Sequence, residues 1–273
     1  MDNRPIGVFD SGVGGLTAVK ELHRILPNEN LVFFGDTGRV PYGTKSRAVV
    51  QRYAAQDIAF LKQHDVKMVV AACGTVSSTI TDDMVRSVGV PFTGVVIPAA
   101  QSACAASATG RIGVIGTPTT IRSMSYGKAI RAIRPNAVII GKACPLFVPL
   151  VENGLVDKDN PITRLTAEMY LKSFLEEDVD TVILGCTHFP VIRDVIADVL
   201  EHKPVLIDAG QVTAQYVKKF LTQHDLLTSS DSEGSERFFV SDSTEDFCRT
   251  ASIFLGHDIK GSIEGVDIEK YTV

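Results

Sequence analysis

Ile6-Gly-Val-Phe-Asp10-Ser11 and Ile112-Gly-Val-Ile-Gly116-Thr117 are one pattern written twice, 106 residues apart. Leu31-Val-Phe-Phe-Gly35 matches Ala137-Val-Ile-Ile-Gly141 at the same offset, while Cys73 matches Cys186, and Val90-Pro91 matches Lys203-Pro204, at an offset of 113. Correspondences that keep their order with one small change of length point to a duplicated half. The apolar runs are near-continuous rather than alternating, as expected of parallel strands buried on both faces. Helix-period stretches lie between them. One of these, carried by Leu16, Val19, Leu22, Ile25 and Leu26, stops before Pro27. A second runs from about Ser46 to Gln63, and a third over Ser77–Val88 leads into a strand at Phe92–Ile97.

This βαβα order predicts an α/β fold: two pseudo-symmetric α/β domains with mainly parallel sheets and an active site in the cleft between them. The first domain takes residues 1–95 and the second 96–207. The remainder, 208–273, is too short for a sound domain of its own and is expected to pack back on the first. It contains a helix (Val212–Leu221), a solvated loop (Thr228–Glu236), a strand (Phe238–Val240) and a helix (Thr244–Leu255).

Lysine and arginine are scattered singly and the net charge is -5, which argues against nucleic acid or acidic lipid as the main partner and favours a small polar ligand. No apolar stretch approaches the roughly eighteen residues a membrane span needs. The five cysteines form no CxxC and follow no signal-peptide pattern, so the expectation is free thiols in a reducing cytoplasm. The six histidines, His23, His64, His188, His202, His224 and His257, show no ligand spacing, and no metal is expected.

Two of those cysteines close apolar runs in matching places: Val69-Val-Ala-Ala-Cys73-Gly-Thr75 and Val182-Ile-Leu-Gly-Cys186-Thr187. Ligands of open α/β sheets gather beyond the carboxyl ends of the strands, so both thiols should face a crevice. Thiols with adjusted pKa values act as acids and bases, and two of them on opposite walls suit inversion at a carbon: one sulfur removes a proton and the other delivers one. Asp10-Ser11 ends the first strand, either to assist a thiol and bind substrate or to cap a helix. His188 is a proton exchanger or a structural histidine. Gly12, Gly14 and Gly15 form a loop that suits anions but is neither a Rossmann nor a Walker signature. Cys104 and Cys248 read as small core residues, and Cys144 as an inert residue near the cleft edge.

Phe9-Asp10-Ser11-Gly-Val-Gly-Gly15-Leu16, Gly35-Asp36-Thr37, Val40-Pro41-Tyr42-Gly43, Cys73-x-Thr75, Val95-x-Ile97-Pro98, Gly116-Thr117-x-x-Thr120, Cys144-Pro145-Leu146, Val151-Glu152-x-Gly154 and Leu184-Gly-Cys186-Thr187-His188-Phe-Pro190 together resemble the bacterial glutamate racemases, from the first strand to about Gly210. The resemblance implies a racemase that needs no cofactor, interconverts L- and D-glutamate, supplies D-glutamate for peptidoglycan, and forms a homodimer. It implies Cys73 as base for the D-enantiomer, supported by Asp10, and Cys186 as base for the L-enantiomer, supported by His188. Ser11, Pro41, Tyr42, Gly43, Gly74, Thr75, Thr117, Thr120 and Thr187 would hold substrate, with Asp36 and Glu152 in the polar shell. One departure stands out. Where the family reads Cys-Asn-Thr-Ala-Ser, this chain reads Cys73-Gly74-Thr75-Val76-Ser77. The lost amide weakens substrate binding or alters substrate choice, unless Gly74 meets a backbone demand. Other expectations left open are an aspartate racemase, a Cys-His thiol hydrolase and a binding protein without activity.

Overall fold

The strands β1 (Ile6–Asp10), β2 (Leu31–Gly35) and β3 (Met68–Ala71) are buried along their whole length, as their unbroken apolar sequences require. In this computed structural model, which describes residues 1–259 and 263–271, they are joined by β4 (Phe92–Gly94). A second set follows: β5 (Arg111–Gly116), β6 (Val138–Ala143), β7 (Thr181–Leu184) and β8 (Val205–Asp208). The tail adds β9 (Glu236–Val240) and β10 (Ile263–Gly265).

The first sheet has the order β10-β9-β2-β1-β3-β4 and the second β6-β5-β7-β8. Every pairing is parallel. The run β2-β1-β3-β4 repeats as β6-β5-β7-β8, so the duplicated sequence pattern appears as duplicated strand order. In both sheets the chain reverses direction of travel beside the central strand, β1 or β5, and these are the switch points at which α/β sheets place their ligands.

The third helix differs from its expectation. The stretch Ser77–Val88 is broken into helices Gly74–Ser77 and Asp82–Ser87, because Thr81 caps the second one by accepting from the Met84 N–H at 3.3 Å. The strand expected over Phe92–Ile97 ends at Gly94, and helix Val96–Ala106 takes over with Pro98 in its first turn. Both cysteine-bearing strands stop two residues short of the thiol, leaving Cys73 and Cys186 on turns beyond the sheet.

The tail is woven into the rest. Strand β9 pairs with β2 from Leu31 opposite Glu236 to Gly35 opposite Val240. Asp208 caps helix Ala209–Gln223, which is longer than the expected Val212–Leu221 and packs on helices Leu16–Ile25 and Val96–Ala106. The segment Thr228–Glu236, expected to be a solvated loop, is tied down: Thr228 N–H donates to Glu29 at 2.8 Å and Gly234 N–H to the Pro27 carbonyl at 2.8 Å. One buried cluster joins Val8 and Leu16 to Ile115, Phe147 and Val182 and to Phe238 and Phe254 of the tail.

Candidate active site

Cys73 precedes helix Gly74–Ser77 and is 5% exposed; Cys186 is 8% exposed. The Cys73 thiol donates to Ser11 Oγ at 3.4 Å, so the hydroxyl expected to bind substrate also touches the sulfur. Asp10 is buried beside it, with Oδ2 accepting the Gly12 N–H at 3.1 Å and Oδ1 without a partner. Burial pushes the Asp10 carboxyl up to about 6, against the pull of His188 and of the Gly12 and Gly15 N–H groups. Burial, with the Asp10 charge next, pushes the Cys73 thiol up to about 12. At neutral pH Cys73 therefore rests as a thiol beside a carboxylate.

The Cys186 side is built differently. His188 Nδ1 lies 3.8 Å from Cys186 Sγ, and Nε2 donates to Glu152 Oε1 at 2.9 Å. Burial opposes the charge on His188, but the hydrogen bonds to Cys186 and Glu152 outweigh it and hold the imidazolium up to about 10. One thiol thus faces an anion and the other a cation. The asymmetry is laid on a symmetric frame.

Hydroxyls link the two halves. Thr75 Oγ1 lies 3.0 Å from Thr117 Oγ1, which lies 3.0 Å from Thr120 Oγ1. Thr17 donates across the seam to the Thr187 carbonyl at 3.0 Å, and Thr187 Oγ1 sits 3.4 Å from His188 Nδ1. Gly43 packs on Thr117, which brings the Pro41–Gly43 loop to the opposite wall; the Val40–Pro41 peptide is cis.

Two expected residues have different surroundings from those implied. The Tyr42 side chain is 1% exposed and its hydroxyl is bound to Asp36, with Asp57 at 3.3 Å, so Tyr42 has only its backbone free to meet a ligand. Asp36 accepts from Arg39 at 2.6 Å and from Ser241 at 2.7 Å. Arg39 and Asp57 went unnoticed in the sequence. The available signal was a carboxylate on the buried face of a helix, Arg47–Lys62.

Gly74 has an ordinary backbone conformation, so its role is not conformational freedom. A Cβ on it would lie 2.1 Å from the Gly185 carbonyl oxygen. The two cysteine-bearing turns touch backbone to backbone at this point. Behind Gly185 packs the ring of Tyr126, a 2% exposed residue whose hydroxyl has no partner. Among the other cysteines, Cys144 is fully buried against the core and Cys104 partly so; Cys248, expected in the core, is exposed on the outer face of helix Thr244–Leu255.

Two thiols thus stand on matching turns, Cys73 beside the Asp10 carboxylate and Cys186 beside the His188 imidazolium. The family model described as Asp/Glu/Hydantoin racemase matches residues 6–217. The chain belongs to that family. It is 43% identical over 269 residues to the glutamate racemase of Geobacter metallireducens, covering 98% of each chain, and 42% identical to that of Chlorobaculum parvum, covering 93% of each. The structure of glutamate racemase from Francisella tularensis in complex with D-glutamate superposes with a TM-score of 0.92 at 38% identity, covering 99% of this chain and 100% of that one. The chain is accordingly an enzyme of the amino-acid racemase class. Among the described residues no helix is long and apolar enough to cross a membrane.

Proposed function

We propose that this enzyme is a glutamate racemase working without a cofactor through two sulfurs, on the D-glutamate branch that feeds peptidoglycan. The observation that carries the reading is the pairing of Cys73 with Asp10 and Ser11 on one turn and of Cys186 with His188 and Glu152 on the matching turn. In the L-to-D direction the Cys186 sulfur, as thiolate, takes the proton from Cα. The electron pair left on Cα spreads into the α-carboxylate. Cys73, resting as a thiol, delivers its proton to the opposite face and becomes the thiolate. Return of one proton from Cys186 to Cys73 through solvent resets the enzyme, and the D-to-L direction runs the same steps backwards. His188 supplies the cation on the Cys186 side, and Asp10 favours recovery of the Cys73 proton.

Substrate is held by Ser11, Gly74, Thr75, Thr117, Thr120 and Thr187 with the backbone of Pro41, Tyr42 and Gly43. Hydroxyl and amide donors bind carboxylates without placing fixed cations next to the sulfurs. Residues 1–95 with 208–273 form one domain and 96–207 the other. The enzyme acts in the cytoplasm as a homodimer; the apolar stripe Ile162, Leu165 and Met169, each more than half exposed on helix Pro161–Glu176, supports a protein contact there.

The deciding experiment is incubation with L-glutamate in deuterated water without added cofactor. The expected result is deuterium at Cα with loss of optical activity, abolished as turnover in both Cys73→Ser and Cys186→Ser. No exchange at high enzyme concentration rejects the reading. Faster exchange with aspartate reassigns the substrate, and a trapped acyl-enzyme needing one cysteine marks a hydrolase.

A further inference from the structure

Beneath the Pro41–Gly43 loop lies a closed network of charges that the proton-transfer chemistry does not use. Arg39, with a side chain 10% exposed, is its hub: Nε donates to Asp36 at 2.6 Å, one terminal nitrogen to Gln56 at 2.5 Å and the other to Asp57 Oδ1 at 3.0 Å. The Tyr42 hydroxyl donates to Asp36 Oδ2, and Asp57 Oδ2 lies 3.3 Å from the same hydroxyl. Ser241, just past β9, donates to Asp36 Oδ1 at 2.7 Å and accepts the Gly38 N–H at 2.9 Å. Asp36 and Asp57 are both wholly buried. Glu269, mostly exposed, reaches Arg39 at 3.3 Å from outside.

Two buried carboxylates share one buried cation, an arrangement that balances when one of them keeps its proton. Burial and then the Asp36 charge push the Asp57 carboxyl well up, which marks it as the protonated member. A protonated Asp57 donates from Oδ2 to the Tyr42 oxygen while Oδ1 accepts from Arg39. Tyr42 then donates onward to Asp36. Each side-chain oxygen of Asp36, Asp57 and Tyr42 then has a partner, and each bond polarises the next.

We propose that Arg39 and Asp57 are positioning residues for substrate binding, fixing the Tyr42–Gly43 backbone against Thr117, with Asp57 acting through a hydrogen-bonding acid rather than a charge. The proposal rests on the racemase reading, because it takes this loop as part of the glutamate site. It makes Asn, not Glu, the conservative replacement for Asp57: Asn offers one acceptor to Arg39 and one donor to Tyr42 in the same shape.

The test compares Asp57→Ala, Asp57→Asn and Arg39→Lys for D-glutamate turnover, with folding checked by circular dichroism below the melting temperature. Asp57→Ala should raise KM by 10-fold or more with a much smaller change in kcat, and Asp57→Asn should restore KM to within 3-fold of the parent. Arg39→Lys keeps the charge but lacks the fork that reaches three acceptors, so KM should rise as for Asp57→Ala. If Asp57→Asn is as impaired as Asp57→Ala, or if KM stays at the parental value in Asp57→Ala and Arg39→Lys, the proposal is wrong. Should Asp57→Ala fail to fold, the Asp57→Asn and Arg39→Lys pair decides it. Calorimetry with D-glutamate reads the loop independently of turnover. Parental binding without exchange rejects the racemase reading alone, leaving the Kd pattern to judge the loop; no binding rejects both.

Discussion

Gly74 owes its place to space. With a Cβ 2.1 Å from the Gly185 oxygen, any side chain has to push the Cys73 and Cys186 turns apart by about an ångström, since neither side of the contact is a flexible side chain. Displacements of that size cost roughly 100-fold in rate when they separate reacting groups. Gly74→Ala is therefore expected to lower kcat by 10- to 100-fold and stability by about 1–3 kcal/mol. Gly74→Asn, which restores the family residue, should lose activity as well, because the contact must part before the amide can reach substrate. Turnover and thermal melts check both; a gain of activity in Gly74→Asn rejects the close-contact argument. Asp10 makes a second prediction through pH. Its carboxyl sits at about 6 in the folded chain against 3.8 in a free one, so the native state binds this proton more tightly. The stability so gained is whole below about pH 4 and is lost as pH rises through about 6. Asp10→Asn cannot ionise and escapes that loss, so at pH 8 it should exceed the parent by roughly 1–3 kcal/mol while its activity falls, and the advantage should vanish at pH 4. His188 has the opposite consequence for charge: its imidazolium persists to about 10, and the stability from it is whole below about pH 6.5 and is lost progressively as pH rises from there through about 10. Turnover should accordingly decline below about pH 6 and above about pH 10. A stability difference for Asp10→Asn that does not change with pH would reject the assigned titration.

Loops and short elements explain where sequence reading succeeded and where it stopped. Periodicity locates helix Arg47–Lys62 to within a residue at each end, because Ser46 caps it and its apolar face is continuous. The same reasoning misses the break between Ser77 and Asp82, since Ser77 donates to the Ala71 carbonyl at 2.9 Å and accepts the Val95 N–H at 3.1 Å. Those partners lie at the end of β3 and just before helix Val96–Ala106, and no local pattern announces them. Lys67 is another such case. In sequence it opens an apolar run; in the fold its side chain is 0% exposed, donating to Glu29 at 2.5 Å and to the carbonyls of Asp2 and Leu226 at 2.6 and 2.8 Å. Glu29 in turn accepts the Thr228 N–H, so one ion pair fastens the amino terminus and the tail segment to the start of β3. Breaking a buried pair on one side leaves a bare charge. Lys67→Met should cost about 3–5 kcal/mol in urea unfolding. Adding Glu29→Gln, which removes the charge but keeps an acceptor for Thr228, should recover a substantial part of that loss. A double variant no more stable than Lys67→Met would show that the charge is not the reason.

Across the whole molecule, the offsets of 106 and 113 residues carried the architecture: β1 corresponds to β5, β3 to β7 and β4 to β8 in sequence, and the run β2-β1-β3-β4 repeats as β6-β5-β7-β8. The position of Cys73 and Cys186 just past the ends of those strands was legible for the same reason, because a strand end is a local feature. The Arg39 network was not legible, since Asp36 and Ser241 lie 205 positions apart and meet only when β9 joins β2. The same long-range weaving governs unfolding. Helix Ala209–Gln223 packs on a helix of each half, and a single buried cluster runs through both sheets and the tail. Neither half has a complete core without it. The chain should therefore unfold in one transition rather than two, with fluorescence probes placed in each half giving coincident urea curves. Removing residues from 208 onward strips β9 from the edge of β2 and exposes the faces of helices Leu16–Ile25 and Val96–Ala106, so the truncated chain should lose its cooperative transition and bind an apolar dye. Two separate transitions in the full chain, or a cooperative melt in the truncated one, would mean that the halves stand independently and that the tail only decorates them.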